Sequence, residues 1–154
     1  MLARFSDFGG STFEPSFRLT SMRKEDQPWV ERGQRLRELV NDSEWESLQR
    51  SRLNAFFTTA DLIGAIWDGL VRLGVGDLPD PRILEPAAGV GRFLGLQPPE
   101  MAERSHRTAV ELDALTARLL KQLYPRVAVH ALGSQDAPLR DDWFDVAVSI
   151  TSPG

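Results

Sequence analysis

The stretch Arg82-Ile83-Leu84-Glu85-Pro86-Ala87-Ala88-Gly89-Val90-Gly91-Arg92-Phe93-Leu94-Gly95 decides the fold. Ile83 and Leu84 are apolar and strand-like, and Glu85-Pro86 stops the strand, since proline brings no amide to a ladder. Ala87 to Gly91 follow as a turn of small residues, where few side chains keep a ligand away from the backbone. Phe93 and Leu94 then start a helix. A strand, a small-residue loop and a helix start together make a nucleotide-sized pocket at the carboxyl end of a parallel sheet.

Downstream, Gln97-Pro98-Pro99 breaks or shortens the first crossover helix. Thr108–Leu112 reads as a second strand, and Asp113 caps a helix whose core face is Leu115, Leu119, Leu120 and Leu123, stopped by Pro125. Arg126–Leu132 and Phe144–Ile150 are the third and fourth strands, β-branched and apolar enough for buried parallel positions. Upstream, Thr58-Thr59 is an N-cap for a helix whose apolar face is Leu62, Ile63, Ile66, Trp67, Leu70 and Val71, ended by Gly74 or Gly76. Alternating strands and helices give an α/β domain with about four parallel strands and right-handed crossovers.

The N-terminal third reads differently. Residues 1–27 show no sustained period and form an irregular arm whose Phe5, Phe8, Phe13 and Phe17 dock on something. Pro28 opens a helix through Trp29, Val30, Leu36 and Leu39 to Asn41, with Asp26 as its cap, and Ser43-Glu44-Trp45-Glu46 is a capping box for a second helix to about Leu53. The division is thus 1–53, arm and short helices, and 54–154, the α/β domain. Trp29 and Trp45 have two uses, stacking on DNA or anchoring these short helices to the domain, and anchoring is favoured.

With 154 residues and 42% hydrophobic content, the chain fits one domain with an ordinary core. A net charge of -4 argues against holding nucleic acid by bulk electrostatics, so a DNA-binding role needs a local patch or another domain. With no cysteine there is neither a disulfide framework nor a thiolate metal site, and His106 and His130 are too few for a histidine-rich metal cluster. No apolar run marks a signal peptide or membrane span, and a cytoplasmic protein is expected.

The loop's chemistry is narrowed by its context. In a dinucleotide fingerprint the strand runs straight into G-x-G-x-x-G, whereas here Glu85-Pro86-Ala87-Ala88 intervenes and Gly95 falls one position late. No Lys-Ser or Lys-Thr follows the glycines, so it is not a P-loop. Glu111 closes Ala109-Val110-Glu111-Leu112-Asp113 at the end of the next strand, where a carboxylate can accept both hydroxyls of a ribose.

These residues resemble the S-adenosylmethionine-dependent DNA methyltransferases that methylate the exocyclic amine of adenine. Leu84-Glu85-Pro86-Ala87-Ala88-Gly89-Val90-Gly91 looks like their cofactor loop, and Asn54-Ala55-Phe56-Phe57-Thr58-Thr59-Ala60-Asp61-Leu62 like the stretch before it, with Thr59 or Ala60 where a proline often stands. The resemblance is greatest to the methylase portion of large methylase-helicase polypeptides of phages and mobile elements, and spans almost the whole chain. It implies a partial Rossmann-like class I methyltransferase domain with an N-terminal helical extension. It also implies S-adenosyl-L-methionine as cofactor: Phe57 and Thr58 help hold the methionine end, Glu85, Ala87, Gly89 and Gly91 line the methionine and sulfonium end, Glu111 holds the ribose hydroxyls, and Gln135 or Asp136 lies near the adenine. DNA would be engaged through further regions, with a helicase domain or downstream polypeptide as partner.

One departure limits that inference. After the fourth strand the family carries an Asn-Pro-Pro-aromatic motif that accepts hydrogen bonds from the target amine and stacks on the flipped base. Here Ser149-Ile150-Thr151-Ser152-Pro153-Gly154 stands instead, so the catalytic residues, expected after Ser149, are unassigned. The remaining strands of such a sheet are expected beyond Gly154, and without them an open edge favours self-association. The expectation is a cofactor-holding portion, inactive as this isolated chain; the alternative is a non-catalytic ligand or interaction module. A nicotinamide-dependent oxidoreductase is disfavoured by the Glu85-Pro86 loop.

Overall fold

The computed structural model describes residues 14–18, 20–54 and 58–150, and the chain divides into two units, Met1–Phe57 and Thr58–Gly154. In the first, α1 (Glu14–Arg18), a 3-10 turn (Lys24–Asp26), α2 (Gln27–Leu39) and α3 (Asp42–Asn54) follow one another. The expected irregular arm therefore contains a helical turn. It is held by close packing: the Ser16 hydroxyl donates to the Trp29 carbonyl, and Gly33 presses on the Ser16 backbone so tightly that a Cβ there would overlap the carbonyl oxygen. Phe17 packs against the buried Trp45 at 5.4 Å within this unit; Phe5, Phe8 and Phe13 lie outside the described residues.

Two capping expectations are corrected. The Asp26 side chain makes no cap bond to α2 and instead accepts from the Ser21 hydroxyl. The capping box lies two residues earlier than Ser43–Glu46: the Asn41 amide donates to Glu44 Oε2 at 3.0 Å, and the Glu44 amide donates to Asn41 Oδ1 at 2.9 Å. Asparagine is as good an N-cap as serine, and the three-residue spacing to a glutamate serves either frame; the chain's exit from α2 places Asn41 in the cap.

The second unit is built on a parallel sheet of β1 (Arg82–Glu85), β2 (His106–Val110), β3 (Ala128–His130) and β4 (Val146–Ala147), ordered β3-β2-β1-β4. Both ladders of β1 are in register from its base, Arg82 opposite His106 and Ile83 opposite Val146. Helices are α4 (Ala60–Arg72), α5 (Arg92–Gly95), α6 (Pro99–Arg104) and α7 (Ala114–Leu123). This is the expected Rossmann-like α/β arrangement. Ile63 and Trp67 of α4 pack with Ile83, Phe93, Met101 and Val148 in one core cluster; Leu94, Ala109, Leu120, Val127 and Ala88 form a second.

The strands after β1 differ from the sequence reading. The second keeps five residues but lies two positions earlier, His106–Val110, so Leu112 is exposed, and the third and fourth shrink to three and two residues. β-branched residues favour extended backbone, but only positions with a partner strand join the ladder. The buried stripe of α4 is likewise narrower than expected, Ile63 and Trp67 with Ile66 and Leu70 beside them, while Leu62 and Val71 are substantially exposed. On α7 the buried residues are Leu115, Ala117 and Leu120; Leu123 faces outward.

The caps of these helices behave as read. Thr59 accepts from the Leu62 amide, Asp113 accepts from the Thr116 amide, and Gly74, left-handed at φ 93°, terminates α4. The break at Gln97-Pro98-Pro99 is bridged by the buried Gln97 side chain, which donates to the Ser105 hydroxyl beyond α6.

Candidate functional site

The chain moves outward from β1 to β2 and β3, then returns to the other side of β1 as β4. That reversal between β1 and β4 is the topological switch point, and in open α/β sheets the crevice at its carboxyl end is where ligands bind. The loop Pro86–Gly91 leaves β1 at this end, and so do Glu111 after β2 and Ser149 after β4.

The loop is held by its own small residues. The Ala88 amide donates to the Val110 carbonyl and the Gly91 amide to the Ala88 carbonyl, turning the chain back over β2. Ala88 is buried, whereas Ala87 faces out. Gly89 and Gly91 have left-handed φ of 53° and 75°. A Cβ at Gly89 would meet nothing within 4 Å, so the backbone there faces open space. At Gly91 a Cβ would come within 2.6 Å of both Leu120 Cδ1 and the Tyr124 ring.

Two carboxylates flank this turn. Glu111 accepts the Gly89 amide on Oε2 at 2.7 Å and the Asp113 amide on Oε1 at 2.8 Å. Its head group is thus fixed against the loop, and each oxygen keeps a further lone pair for a diol. Glu85 ends β1 with the rest of the strand's apolar face and is 3% exposed, and its Oε2 has no hydrogen-bond partner. Burial pushes its carboxyl up to about 8; the amides of Leu94 and Phe93 oppose that rise, and the nearby Glu111 charge adds to it.

Two residues that sequence reasoning missed complete the frame. The Tyr124 hydroxyl donates to the Gly91 carbonyl at 2.9 Å, and its ring fills the space that the missing Cβ of Gly91 leaves. Burial first, and then the Glu85 charge, raise the Tyr124 pKa. The Ser134 hydroxyl donates to the Pro86 carbonyl, which ties the turn after β3 to the loop after β1. A hydroxyl just after Gly133 was the available signal, since serine commonly bonds to backbone in turns.

Glu85, Ala87, Gly89, Gly91 and Glu111 are thereby brought together, with Gln135 and Asp136 on the turn that Ser134 tethers. Both of these side chains are exposed, and Gln135 donates to Asp136 at 3.1 Å. Thr58 lies two residues before α4, and no described hydrogen bond joins it to the loop; Phe57 lies outside the described residues. After β4, Val148 is buried, its amide donating to the Leu84 carbonyl, while Ser149 and Ile150 are exposed. A separate groove of about 420 Å³ at the amino ends of the strands is lined by Asp80, Arg82, His106, Trp143 and Asp145 among others. There Arg82 forms a two-pronged ion pair with Asp145, which holds the Asp145 carboxyl down to about 2.

Sheet order and loop position define a doubly wound, Rossmann-like domain with a candidate ligand site at its switch point. No protein-family model and no curated protein matches the chain. Among solved structures, it is similar to a candidate class I S-adenosylmethionine-dependent methyltransferase from Listeria monocytogenes, at 21% identity and a TM-score of 0.48 over 90% of this chain. The chain spans about half of that protein, 49% of its length, and no residue's role follows from so distant a likeness. No described helix is long and apolar enough to cross a membrane.

Proposed function

We propose that the second unit is the cofactor-holding portion of an S-adenosylmethionine-dependent methyltransferase, and more narrowly of an enzyme that methylates the exocyclic amine of adenine in DNA. The single observation that carries the cofactor reading is the Glu111 carboxylate clasped to the Gly89 amide beside a backbone that faces open space. The residues fit such a group: a diol acceptor on Glu111, a close-approach surface at Gly89, and a buried carboxyl on Glu85 whose Oε2 lacks a partner. When bound, S-adenosylmethionine supplies an electrophilic methyl on a sulfonium sulfur. The chain's own part is to bind and orient it: Glu111 accepts the ribose hydroxyls, Glu85 with Ala87, Gly89 and Gly91 borders the methionine end, and Gln135 or Asp136 flanks the adenine.

The narrower, DNA-directed reading rests on the loop and its neighbours in sequence, with DNA and a helicase-type partner engaged through other regions. Ser149 and Ile150, exposed after β4, supply neither the amide acceptor nor the stacking ring of the amine-methylating motif. That observation favours a second reading for this chain, a non-catalytic module that keeps the pocket.

Calorimetric titration of the full chain tests the first reading. S-adenosylmethionine should bind at one site, and Glu111→Ala, folded by circular dichroism, should lose at least tenfold in affinity, as about 1.4 kcal/mol from one charged acceptor implies. Heat with neither S-adenosylmethionine nor a nicotinamide nucleotide would leave the second reading standing.

A further inference from the structure

Glu85 is the least explained group at the switch point. Its carboxyl lies at the end of a central strand, 3% exposed, with one oxygen unpartnered. Among the described residues no ion pair reaches it: Arg92, which opens the neighbouring α5, leaves its own buried Nε unpartnered. The amides of Leu94 and Phe93 favour its charged form, but the other groups that act on it are acids, Glu111 from the end of β2 and Tyr124 from the end of α7. Burial outweighs the two amides, neither acid compensates a negative charge on Glu85, and a buried carboxylate without a cation beside it takes up a proton.

We propose, on the cofactor reading above, that Glu85 is protonated while the pocket is empty and releases that proton to solvent when a cationic group of the ligand settles beside it. The carboxyl would then be a charge sensor: the same burial that disfavours the lone carboxylate strengthens its attraction to a cation once one is present. The balance is simple. One O–H bond on Glu85 breaks, the proton goes to buffer, and the carboxylate keeps the electron pair that faces the cation. S-adenosylmethionine offers two cationic groups, the sulfonium and the α-ammonium, whereas S-adenosylhomocysteine offers the ammonium alone.

The sign follows from linkage. Below the folded-state pKa of about 8 the empty protein holds the proton and the complex does not, so affinity rises with pH and levels off above that value. Between pH 6 and 8 the affinity for S-adenosylmethionine should gain about tenfold per unit where one proton is released.

The experiment is calorimetry on the full chain at several pH values, each in buffers of different ionisation enthalpy, which counts the protons released. The count should approach one at pH 6.5 and fall toward zero at pH 9, and in Glu85→Gln, which keeps the neutral shape, it should vanish. Release with both ligands assigns the cation as the ammonium; release with S-adenosylmethionine alone assigns the sulfonium. Binding with no proton released, or with a release that persists in Glu85→Gln, overturns this proposal and leaves the cofactor reading intact. Absence of binding overturns both. An infrared pH titration of the ligand-free chain, read as its difference from Glu85→Gln, gives an independent check: the protonated carboxyl band should persist at neutral pH, and its absence there would also overturn the proposal.

Discussion

Gly89 and Gly91 stand two positions apart in one loop and are glycine for different reasons. Both need positive φ, which costs a residue with a Cβ roughly 1 to 2 kcal/mol. Gly91 adds a steric demand, because Leu120 and Tyr124 occupy the volume a Cβ would take, and Gly89 does not. Gly91→Ala should therefore lower stability by about 2 to 4 kcal/mol in urea denaturation, and Gly89→Ala by about 1 kcal/mol. Equal losses for the two would contradict the packing around Tyr124. Glu85 belongs to the same scale: whether a carboxyl is neutral depends on the partners within reach of its oxygens, and here one oxygen has no hydrogen-bond partner.

Among the elements, α4 does most to position the loop. Trp67, 1% exposed, donates its indole N–H to the Phe93 carbonyl at 3.0 Å and meets the Phe93 ring edge-on at 6.4 Å. Through that contact α4 fixes α5, and α5 follows directly from the loop. Trp67→Ala removes both the packing and the bond, and should cost about 3 to 5 kcal/mol in thermal or chemical unfolding. A loss under about 1 kcal/mol would mean that α4 does not brace the loop. α7 braces it from the opposite face through Tyr124 and Leu120.

At the scale of the whole molecule, the order β3-β2-β1-β4 leaves β4 bonded to β1 on one side, with no strand on its other side among the described residues. Ala147 on that strand and Ile150 after it are exposed. An open edge with apolar side chains is a template for pairing with another chain, and a charge placed on it opposes that pairing. Sedimentation velocity should show the apparent mass rising with concentration, and Ala147→Lys should shift the protein toward monomer. A wild-type monomer at every concentration would dismiss self-association through this edge.

Outside the arm, which reads as irregular chain yet holds α1, the sequence by itself determined the element types, their order and the loop. β1, the Thr59 and Asp113 caps, the break after Gln97 and the left-handed end of α4 at Gly74 are written in local residue chemistry, which acts over one to four positions. It also marked Glu85 and Glu111 as a pair around small residues. Strand lengths and the width of the α4 stripe were settled by partners distant in the chain, because a ladder position or a buried face exists only where something covers it; the capping box at Asn41 is local, its partner Glu44 only three residues on, and the same spacing fitted two frames. Tyr124 was invisible for the same reason as the strand lengths, and the Ser134 hydroxyl, though visible, did not show what it holds: they reach the loop from 33 and 48 residues away. Tertiary structure alone also set the proton affinity of Glu85, since composition supplies a carboxyl but only burial beside other acids makes its charge costly.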